Sequence, residues 1–384
     1  MITSKYSIRE QNEATILKTI IDKKIISRAE LSVVTGLNKA SVSSITKTLL
    51  EEELVTETGI GDGSTSGGRK PILLEFNGQS ALSISFDIGY NYVEALLSYL
   101  DGTELETVSQ RKISVNTTNV VSLIKEIITQ FEQKIPKTKH GIIGVTIAIH
   151  GIIHQNKIVF TPYYDLDQMN LYEELTASLT YPIYLENEAN LAALGEYTFS
   201  STFDSLVSLS IHSGIGAGIV EDGKLQLGKH GKAGEIGHSI LYPHGRQCPC
   251  GNHGCLEQYA SNKVLYDTFS EAKGLSSVNS KIISEAYHSQ DPAAVELINN
   301  NCFLLSIGIN NIVTLYDPEI VIINSSLYRE IPTMIELVKQ QIESQFSKDI
   351  IIKNSSLKNR ATLYGCITIN AQHFLNVQKL KLEA

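Results

Sequence analysis

The sequence predicts an α/β protein in which a small helical head, residues 1–77, precedes a body of two similar lobes. Two observations predict the body: it repeats an order of strands and helix, and each repeat carries glycine at its first strand turn. A third observation predicts the head, because hydrophobic residues recur there at helical spacing. We place the first lobe at residues 78–200 with 365–384, and the second lobe at 201–364.

Composition favours a folded protein of the cytoplasm. Hydrophobic residues make up 42% and charged residues 19% of the 384 residues, so packed interiors are expected. The longest hydrophobic runs, such as 141–149, fall short of the roughly 18 to 20 residues that span a bilayer. The amino terminus mixes charged and hydrophobic residues, unlike a secretory signal. We therefore expect a cytoplasmic protein with no membrane partner.

Charge is distributed unevenly along the chain. Residues 1–50 carry eight Lys or Arg and four acidic residues, whereas the whole chain has a formal net charge of -9. A basic head on an acidic body is typical of a protein whose head alone binds a polyanion. Chance variation over fifty residues is the alternative.

Three helices are predicted in the head. The first runs from Asn12 to about Lys23, and residues 27–30, Ser-Arg-Ala-Glu, form a capping box that begins the second. Gly36 ends that second helix, and Asn38 caps a third that runs to about Glu53. Two helices joined by a turn with glycine, the second being longer, are typical of a helix-turn-helix.

The polar face of the third helix and the capping box supply the candidate DNA contacts. A major groove accepts a helix that presents short hydrogen-bonding side chains and lysines. The candidates are Arg28, Asn38, Lys39, Ser41, Ser43, Ser44 and Lys47. An ordinary three-helix bundle with a solvated polar face is the alternative.

A glycine-rich segment separates the helices from the body. Residues 59–71 lie between two short strand patterns, 54–57 and 72–76, which predicts a β-hairpin wing beside the helix-turn-helix. Arg69 and Lys70 follow the glycines and could contact phosphates or a narrow minor groove. A flexible linker between domains is the alternative, and one segment can serve both purposes.

Strand and helix patterns follow in the body. In the first lobe we predict strands at 82–88, 92–99 and 107–115, a helix at 119–134, and a buried strand at 142–149. In the second lobe we predict strands at 205–212, 215–220, near 224, and at 320–323. This order is that of an actin-like, two-lobed fold, in which the turns at Gly89 and at 214–218 would surround nucleotide phosphates. Hydrophobic faces at 291–315, 329–346 and 368–375 fit either a dimer surface or lobe core.

A histidine and three cysteines form the strongest local motif. His238 precedes Cys248, Cys250 and Cys255, and glycines between the cysteines let the backbone fold tightly. Three thiolates and one imidazole complete a tetrahedral zinc shell without an open position, so we expect a structural zinc ion. Free cysteines in a loop are the alternative.

Several motifs together carry a family resemblance. They are LENEANLAALGE at 185–196, SGIGAGIVEDG at 213–223, GEIGH at 234–238 and CPCGNHGCLEQYAS at 248–261. These motifs resemble the ROK family of repressors, open reading frames and sugar kinases over nearly the whole chain. The head looks like the repressor branch, and within it the chain most resembles bacterial xylose repressors.

The resemblance implies a sugar site between the lobes. Its residues would be Gly151, Asn187, Glu188, Glu235, His238 and Glu257, with His238 binding zinc through one ring nitrogen and sugar through the other. It also implies a transcriptional repressor that binds operator DNA as a homodimer or dimer of dimers and is released by a sugar, with xylose as a candidate. Fixed carboxylates, Asn and His suit sugar hydroxyls.

Departures from the family pattern argue against an enzyme and predict no catalytic residue. Kinases of the family carry aspartate where this chain has Glu188, and small residues where Tyr90 and Asn91 follow Gly89. The second turn has His212-Ser213 before Gly214, and His150 and Tyr163 stand where proline and asparagine are usual. The alternatives are a sugar kinase with an accessory DNA-binding domain, or a regulator whose DNA binding is strengthened by sugar.

Overall fold

The computed structural model describes residues 5–60 and 71–382. The head contains three helices and a three-stranded sheet of strand order β1-β3-β2. Its elements are α1 (Lys5–Lys23), β1 (Ile25–Ser27), α2 (Arg28–Thr35), α3 (Lys39–Glu51), β2 (Val55–Ile60) and β3 (Ile72–Phe76). Strands β2 and β3 pair antiparallel, as the hairpin prediction requires. Arg69 and Lys70 lie outside the described residues.

Local capping fixes the helices of the head where the sequence predicts them. Ser27 accepts a hydrogen bond from the Glu30 backbone and donates its own backbone N–H to the Glu30 carboxylate, at 3.3 and 2.9 Å. Gly36 has φ +70° and ends α2, while Asn38 accepts from the Ser41 backbone at 2.8 Å and begins α3. Helix α1 begins at Lys5, earlier than predicted, and the buried residues that signalled it, Ile16, Leu17, Ile20 and Ile21, lie in its later turns.

The first lobe is built on a mixed five-stranded sheet of order β10-β7-β4-β5-β6. Its elements are β4 (Leu82–Gly89), β5 (Tyr92–Tyr99), β6 (Glu104–Arg111), α4 (Val120–Glu132), β7 (Ile142–Ile149), β8 (Ile152–His154), β9 (Lys157–Phe160), α5 (Leu171–Ser178), β10 (Ile183–Asn187) and α6 (Glu188–Phe199). The strand predicted at 107–115 was misplaced. Ile113 and Val115 instead donate backbone N–H groups to Asn91 and Tyr90, across the turn between β4 and β5.

The second lobe carries the other five-stranded sheet, of order β13-β12-β11-β14-β15. Its elements are β11 (Leu206–Ile211), β12 (Ile215–Glu221), β13 (Lys224–Leu225), α7 (Glu257–Ala260), α8 (Asn262–Lys273), α9 (Ser280–His288), α10 (Pro292–Tyr316), β14 (Ile320–Ser325), α11 (Ser326–Glu330), α12 (Met334–Gln340) and β15 (Ile351–Asn354), and α13 (Ala361–Leu375) follows them. The single helix predicted at 329–346 is wrong. Pro332 separates α11 from α12, because the residue before a proline avoids the helical region.

Helices α6 and α13 lie between the two sheets and pack against each other. They approach closely at two glycines: a Cβ on Gly195 would lie 2.1 Å from the Ala361 carbonyl oxygen, and one on Gly365 would lie 1.8 Å from that of Leu191. Every residue of α6 is buried. The lobe boundary that we placed at residue 365 falls within α13, and the division into domains stays a prediction.

The head packs directly on the first lobe and the carboxyl-terminal segment. Hydrophobic residues of α1, α2 and α3 share one core with Leu96, Leu100 and Leu375. His140 donates Nε2–H to the Glu52 carbonyl oxygen at 2.8 Å, and its ring lies 4.9 Å from that of Phe374. Within 5–60 and 71–382, no helix is both long and apolar enough to cross a membrane.

Candidate functional site

A polar cleft of about 440 Å³ lies between the two sheets, where β4, β7 and β10 of the first lobe face β11 and β12 of the second. All six residues that the sequence assigned to a sugar line this cleft. They are Gly151, Asn187, Glu188, Glu235, His238 and Glu257. The fold therefore brings together side chains that lie up to about a hundred positions apart in the chain.

Asn187 joins two walls of the cleft. Its Oδ1 caps α6 by accepting from the Asn190 backbone at 3.0 Å, and its Nδ2 donates to the Gly151 carbonyl at 2.7 Å. Gly151 is required by close packing, because a Cβ there would lie 2.2 Å from the Phe160 carbonyl oxygen. Asn187 therefore holds the wall in place and retains one amide N–H for a ligand.

Glu188 is buried at the first turn of α6, in the predicted first lobe, and its carboxylate contacts residues of the second. Its Oε1 accepts hydrogen bonds from the hydroxyls of Ser210 at 3.0 Å and Thr362 at 2.9 Å, and lies 3.8 Å from His212 Nε2. Two donors on separate elements fix this carboxylate. A fixed carboxylate is a good acceptor for ligand hydroxyls.

The predicted zinc ligands converge beside the cleft. The ligand atoms of His238, Cys248, Cys250 and Cys255 lie within 4.8 Å of one another. The Cys250 and Cys255 sulfurs are 3.7 Å apart, and His238 Nδ1 is 3.4 Å from the Cys248 sulfur. Tetrahedral zinc with bonds of about 2.3 Å separates its sulfurs by about 3.8 Å, so the cluster fits the ion. The other two cysteines, Cys302 and Cys366, are buried elsewhere.

His238 lies between this cluster and the cleft. Its Nδ1 faces Cys248, while its Nε2 is 3.7 Å from a carboxylate oxygen of Glu235 in the cleft. Burial raises the pKa of the Glu235 carboxyl, and the nearby imidazole opposes that rise. Glu257 Oε1 lies 3.6 Å from Nδ1 and accepts from the Cys248 sulfur at 3.2 Å. The arrangement places Glu235, His238 and Glu257 where the candidate zinc cluster meets the cleft.

A half-buried network that the sequence did not predict lies on the floor of the cleft. His150 Nε2 is 2.9 Å from Asp87 Oδ1 and 2.9 Å from the Tyr92 hydroxyl, which donates to Asp87 Oδ2 at 3.0 Å. Burial alone would lower the pKa of His150, but the Asp87 carboxylate and its hydrogen bond raise it to about 9. His150 is therefore an imidazolium paired with Asp87 at neutral pH.

Side chains pack closely against a glycine at each of the two turns that would surround nucleotide phosphates. A Cβ on Gly89 would lie 2.2 Å from the Tyr92 ring, and one on Gly214 would lie 2.6 Å from Glu257 Oε2. At the first turn the rings of Tyr90 and Tyr163 lie 5.9 Å apart. Neither glycine leaves room for a side chain of its own, and both glycines line the cleft.

The candidate DNA face lies on α3, where the side chains of Lys39, Ser43, Ser44 and Lys47 are exposed. Ser41 is half-buried, and the side-chain oxygen of Asn38 is used as the cap. Arg28 points back into the head, where it donates to Thr46 at 3.1 Å and pairs with Glu57 at 3.3 Å. The exposed side chains are two short serine hydroxyls and two positively charged lysines, which a contact with the major groove requires.

Comparison with known proteins identifies relatives over the full length of the chain. The ROK family profile matches residues 83–373. The xylose repressor of Bacillus spizizenii is 33% identical over 386 residues, which cover 99% of this chain and 100% of that repressor. The similarity therefore includes the head as well as the two lobes.

Two solved structures resemble the chain to different extents. A ROK family transcriptional regulator, a homolog of the E. coli MLC protein, has a TM-score of 0.81 at 26% identity and covers 97% of this chain and 98% of its own. A ROK family glucokinase from Streptomyces griseus, in complex with glucose and AMPPNP, has a TM-score of 0.68 at 25% identity and covers 76% of this chain and 99% of its own. The regulator thus matches nearly the whole chain, and the kinase about three quarters of it.

Proposed function

This chain belongs to the ROK family, and we propose that it is a sugar-responsive transcriptional repressor of carbohydrate-utilisation genes. The head would bind operator DNA through α3, and a sugar would bind in the cleft between the lobes. One observation carries the proposal: the same chain contains a polar cleft large enough for a sugar and a head whose helix α3 exposes serines and lysines. The full-length likeness to a xylose repressor supports it.

We further propose that the six predicted residues of the cleft hold the sugar. Glu188, Glu235 and Glu257 supply acceptors for hydroxyl groups, and His238 and Asn187 supply ring and amide N–H donors. Xylose is the first candidate because a relative of full length is named for it. Isothermal titration calorimetry with xylose, glucose, N-acetylglucosamine and allose identifies the ligand directly. Absence of binding by all four would count against this assignment of the cleft.

Zinc fits the cluster of His238 and the three cysteines. When bound, it would hold the His238 ring in one orientation and leave Nε2 directed toward the cleft. The ion would be structural, since four protein ligands leave no position for a catalytic water.

We propose that the cleft carries out no phosphoryl transfer. Glu188 is one methylene longer than the usual aspartate and is held by Ser210 and Thr362, and a misplacement of about 1 Å can cost about a hundredfold in rate. Tyr92 packs against Gly89 at the first phosphate turn. The likeness to a glucokinase makes a kinase the second candidate. Release of ADP from ATP, dependent on one of the four sugars, would establish that candidate instead.

Operator binding would use a homodimer or a dimer of dimers. Two-fold symmetry would then place two α3 helices in major grooves about 34 Å apart, or a multiple of that distance. Nuclease footprinting of the DNA that flanks its own gene tests this, and we expect protection of two inverted half-sites. A single protected half-site would contradict the dimer. A sugar that strengthens the footprint would preserve the function and reverse the sign of regulation.

A further inference from the structure

His150 is the last residue before Gly151 and lies on the floor of the cleft at the end of β7. Its side chain retains 23% of its exposure, although the strands on either side of β7 surround it. The side chain is therefore held by the protein on one side and open to the cleft on the other.

One ring nitrogen of His150 is fully engaged. Nε2 lies within 2.9 Å of both Asp87 and the Tyr92 hydroxyl, which belong to β4 and β5. The His150 backbone N–H donates to the Tyr164 hydroxyl at 3.0 Å, and Tyr164 donates to the Ile88 carbonyl at 2.9 Å. Bonds to three separate parts of the lobe therefore fix the position and the orientation of the ring.

The other ring nitrogen has no such partner. Among the described residues, Nδ1 makes no hydrogen bond, and it does not belong to the buried polar atoms that lack a partner, so it is accessible in the cleft. The cleft is rich in carboxylates, which only accept hydrogen bonds when ionised. The ring oxygen of a sugar also only accepts, and therefore needs a donor that those carboxylates do not supply.

The groups around His150 keep it charged. Asp87 on β4 and Glu188 on α6 are its acidic neighbours, and His212 on the far wall is the nearby imidazole. Arg111 on β6 lies over the Tyr92 ring at 5.3 Å and pairs with Glu94. Burial opposes the charge, but the Asp87 carboxylate and the more distant Glu188 raise the pKa of His150 to about 9, so both ring nitrogens carry a proton at neutral pH.

We propose that His150 is a sugar-contacting residue that donates its Nδ1–H to an oxygen atom of the sugar bound in the cleft. Asp87 and Tyr92 are positioning residues that hold the ring for this contact. The inference rests on the proposed sugar site. It adds a specificity contact at a position where the ROK pattern has proline, which has no side-chain donor.

Two substitutions separate this role from a structural one. His150→Asn places an amide N–H near the position of Nδ1 and loses the contact with Asp87. His150→Gln places its amide near the position of Nε2, so it keeps the contact with Asp87 and loses the donor in the cleft. A sugar contact predicts that the Asn variant binds more tightly than the Gln variant, whereas a structural role predicts the reverse order.

The experiment is calorimetric titration with xylose, and with glucose as the second probe, since the chain has no tryptophan to report binding by fluorescence. We expect His150→Gln to weaken the binding of the sugar about tenfold or more, which corresponds to the loss of one charge-assisted hydrogen bond. Thermal unfolding of each variant reports folding separately. Equal affinity of the Gln variant and the wild type would overturn the proposal.

The pH profile of sugar affinity gives a second readout of the donated Nδ1–H. Above about pH 9 the ring loses a proton, Nε2–H stays on Asp87, and Nδ1 becomes an acceptor. We expect wild-type affinity to be constant from about pH 7 to pH 8 and to fall above about pH 9, while both variants show a flat profile. A flat wild-type profile would contradict the contact. If the wild type binds neither sugar at any pH, the proposed sugar site itself is wrong and this contact falls with it.

Discussion

Thr362 donates its hydroxyl to Glu188 Oε1 at 2.9 Å, and this bond ties the first turn of α13 to the floor of the cleft. At the other end of α13, the Phe374 ring lies 4.9 Å from His140, which donates to the Glu52 carbonyl of the head. Twelve residues of helix span about 18 Å between these two ends. A single rigid element therefore contacts both the candidate sugar site and the candidate DNA-binding head.

Removing the Thr362 hydroxyl should destabilise the protein through Glu188. In Thr362→Val a buried carboxylate loses one of its two hydroxyl donors, so we expect the free energy of unfolding to fall by about 1–3 kcal/mol in urea titrations. Thr368→Val is the matched control, because that buried hydroxyl donates only to the Tyr364 carbonyl of its own helix. Equal losses of unfolding free energy in the two variants would show that the bond to Glu188 stabilises the protein no more than a bond within the helix.

The contact of α13 with the head should carry the sugar signal. In the wild type, a coupling of about 1–3 kcal/mol would change DNA affinity about 5- to 150-fold when sugar binds. We expect Phe374→Ala to reduce this change. Sugar affinity in the absence of DNA should stay within about twofold. His373→Ala is the control, because that ring stacks on Tyr184 of the body at 4.3 Å. A full sugar response in Phe374→Ala would exclude this route.

A lysine at the start of α3 should contribute to the attraction for DNA phosphates. We expect Lys39→Ala to weaken DNA binding and to reduce the slope of log affinity against log salt by about one. Lys125→Ala removes an exposed lysine from α4 of the first lobe and should change neither quantity. An unchanged salt slope in Lys39→Ala would place the DNA face elsewhere on the head.

Zinc should be present at one ion per chain and should support the ligand cleft. Cys250→Ser should lose the ion and weaken sugar binding about tenfold or more, because His238 then loses its fixed orientation. Cys302→Ser changes a cysteine on α10, outside the cluster, and should retain the metal. Metal analysis of both proteins and calorimetry measure these effects. Full sugar affinity in the zinc-free protein would show that the zinc cluster does not contribute to sugar binding.

The ion pair of Asp87 with His150 predicts a defined pH dependence of stability. The pKa of His150 is raised from about 6.5 to about 9 in the folded protein, so its contribution is complete below about pH 6.5 and is lost as pH rises through about 9. The difference in unfolding free energy between the wild type and Asp87→Asn should shrink over that range. Asp165→Asn is the control, because its partner is the backbone and hydroxyl of Thr117, which do not titrate there. A difference that is constant with pH would contradict the charged pair.

Features that depend on neighbouring residues were predictable from the sequence. The capping box at Ser27, the glycine at 36 and the spacing of the cysteines each express a local geometry, and the structure contains all of them. The six residues of the cleft were identified through family motifs, and all of them line one cleft. Their role in binding sugar stays a prediction, as do the wing contacts of Arg69 and Lys70.

Features that depend on strand order were not predictable in the same way. His150 and Asp87 are 63 residues apart, and they meet because β7 pairs with β4 in parallel register. Strand β1 has only three residues and gains its partner from β3, far along the chain. Arg28 pairs with Glu57 on β2, far along the chain, and its contact with DNA stays a prediction. No local pattern encodes such pairings, since they arise when distant segments pack.

The most direct test of a sugar-responsive repressor is fluorescence anisotropy of labelled DNA that flanks the protein's own gene. The protein is titrated at fixed salt, alone and with xylose, glucose, N-acetylglucosamine or allose, and unrelated DNA of equal length is the control. We predict specific binding that one of these sugars weakens about tenfold or more, in line with a coupling of at least about 1.4 kcal/mol. Binding no tighter than that of the unrelated DNA, with or without sugar, would contradict the account.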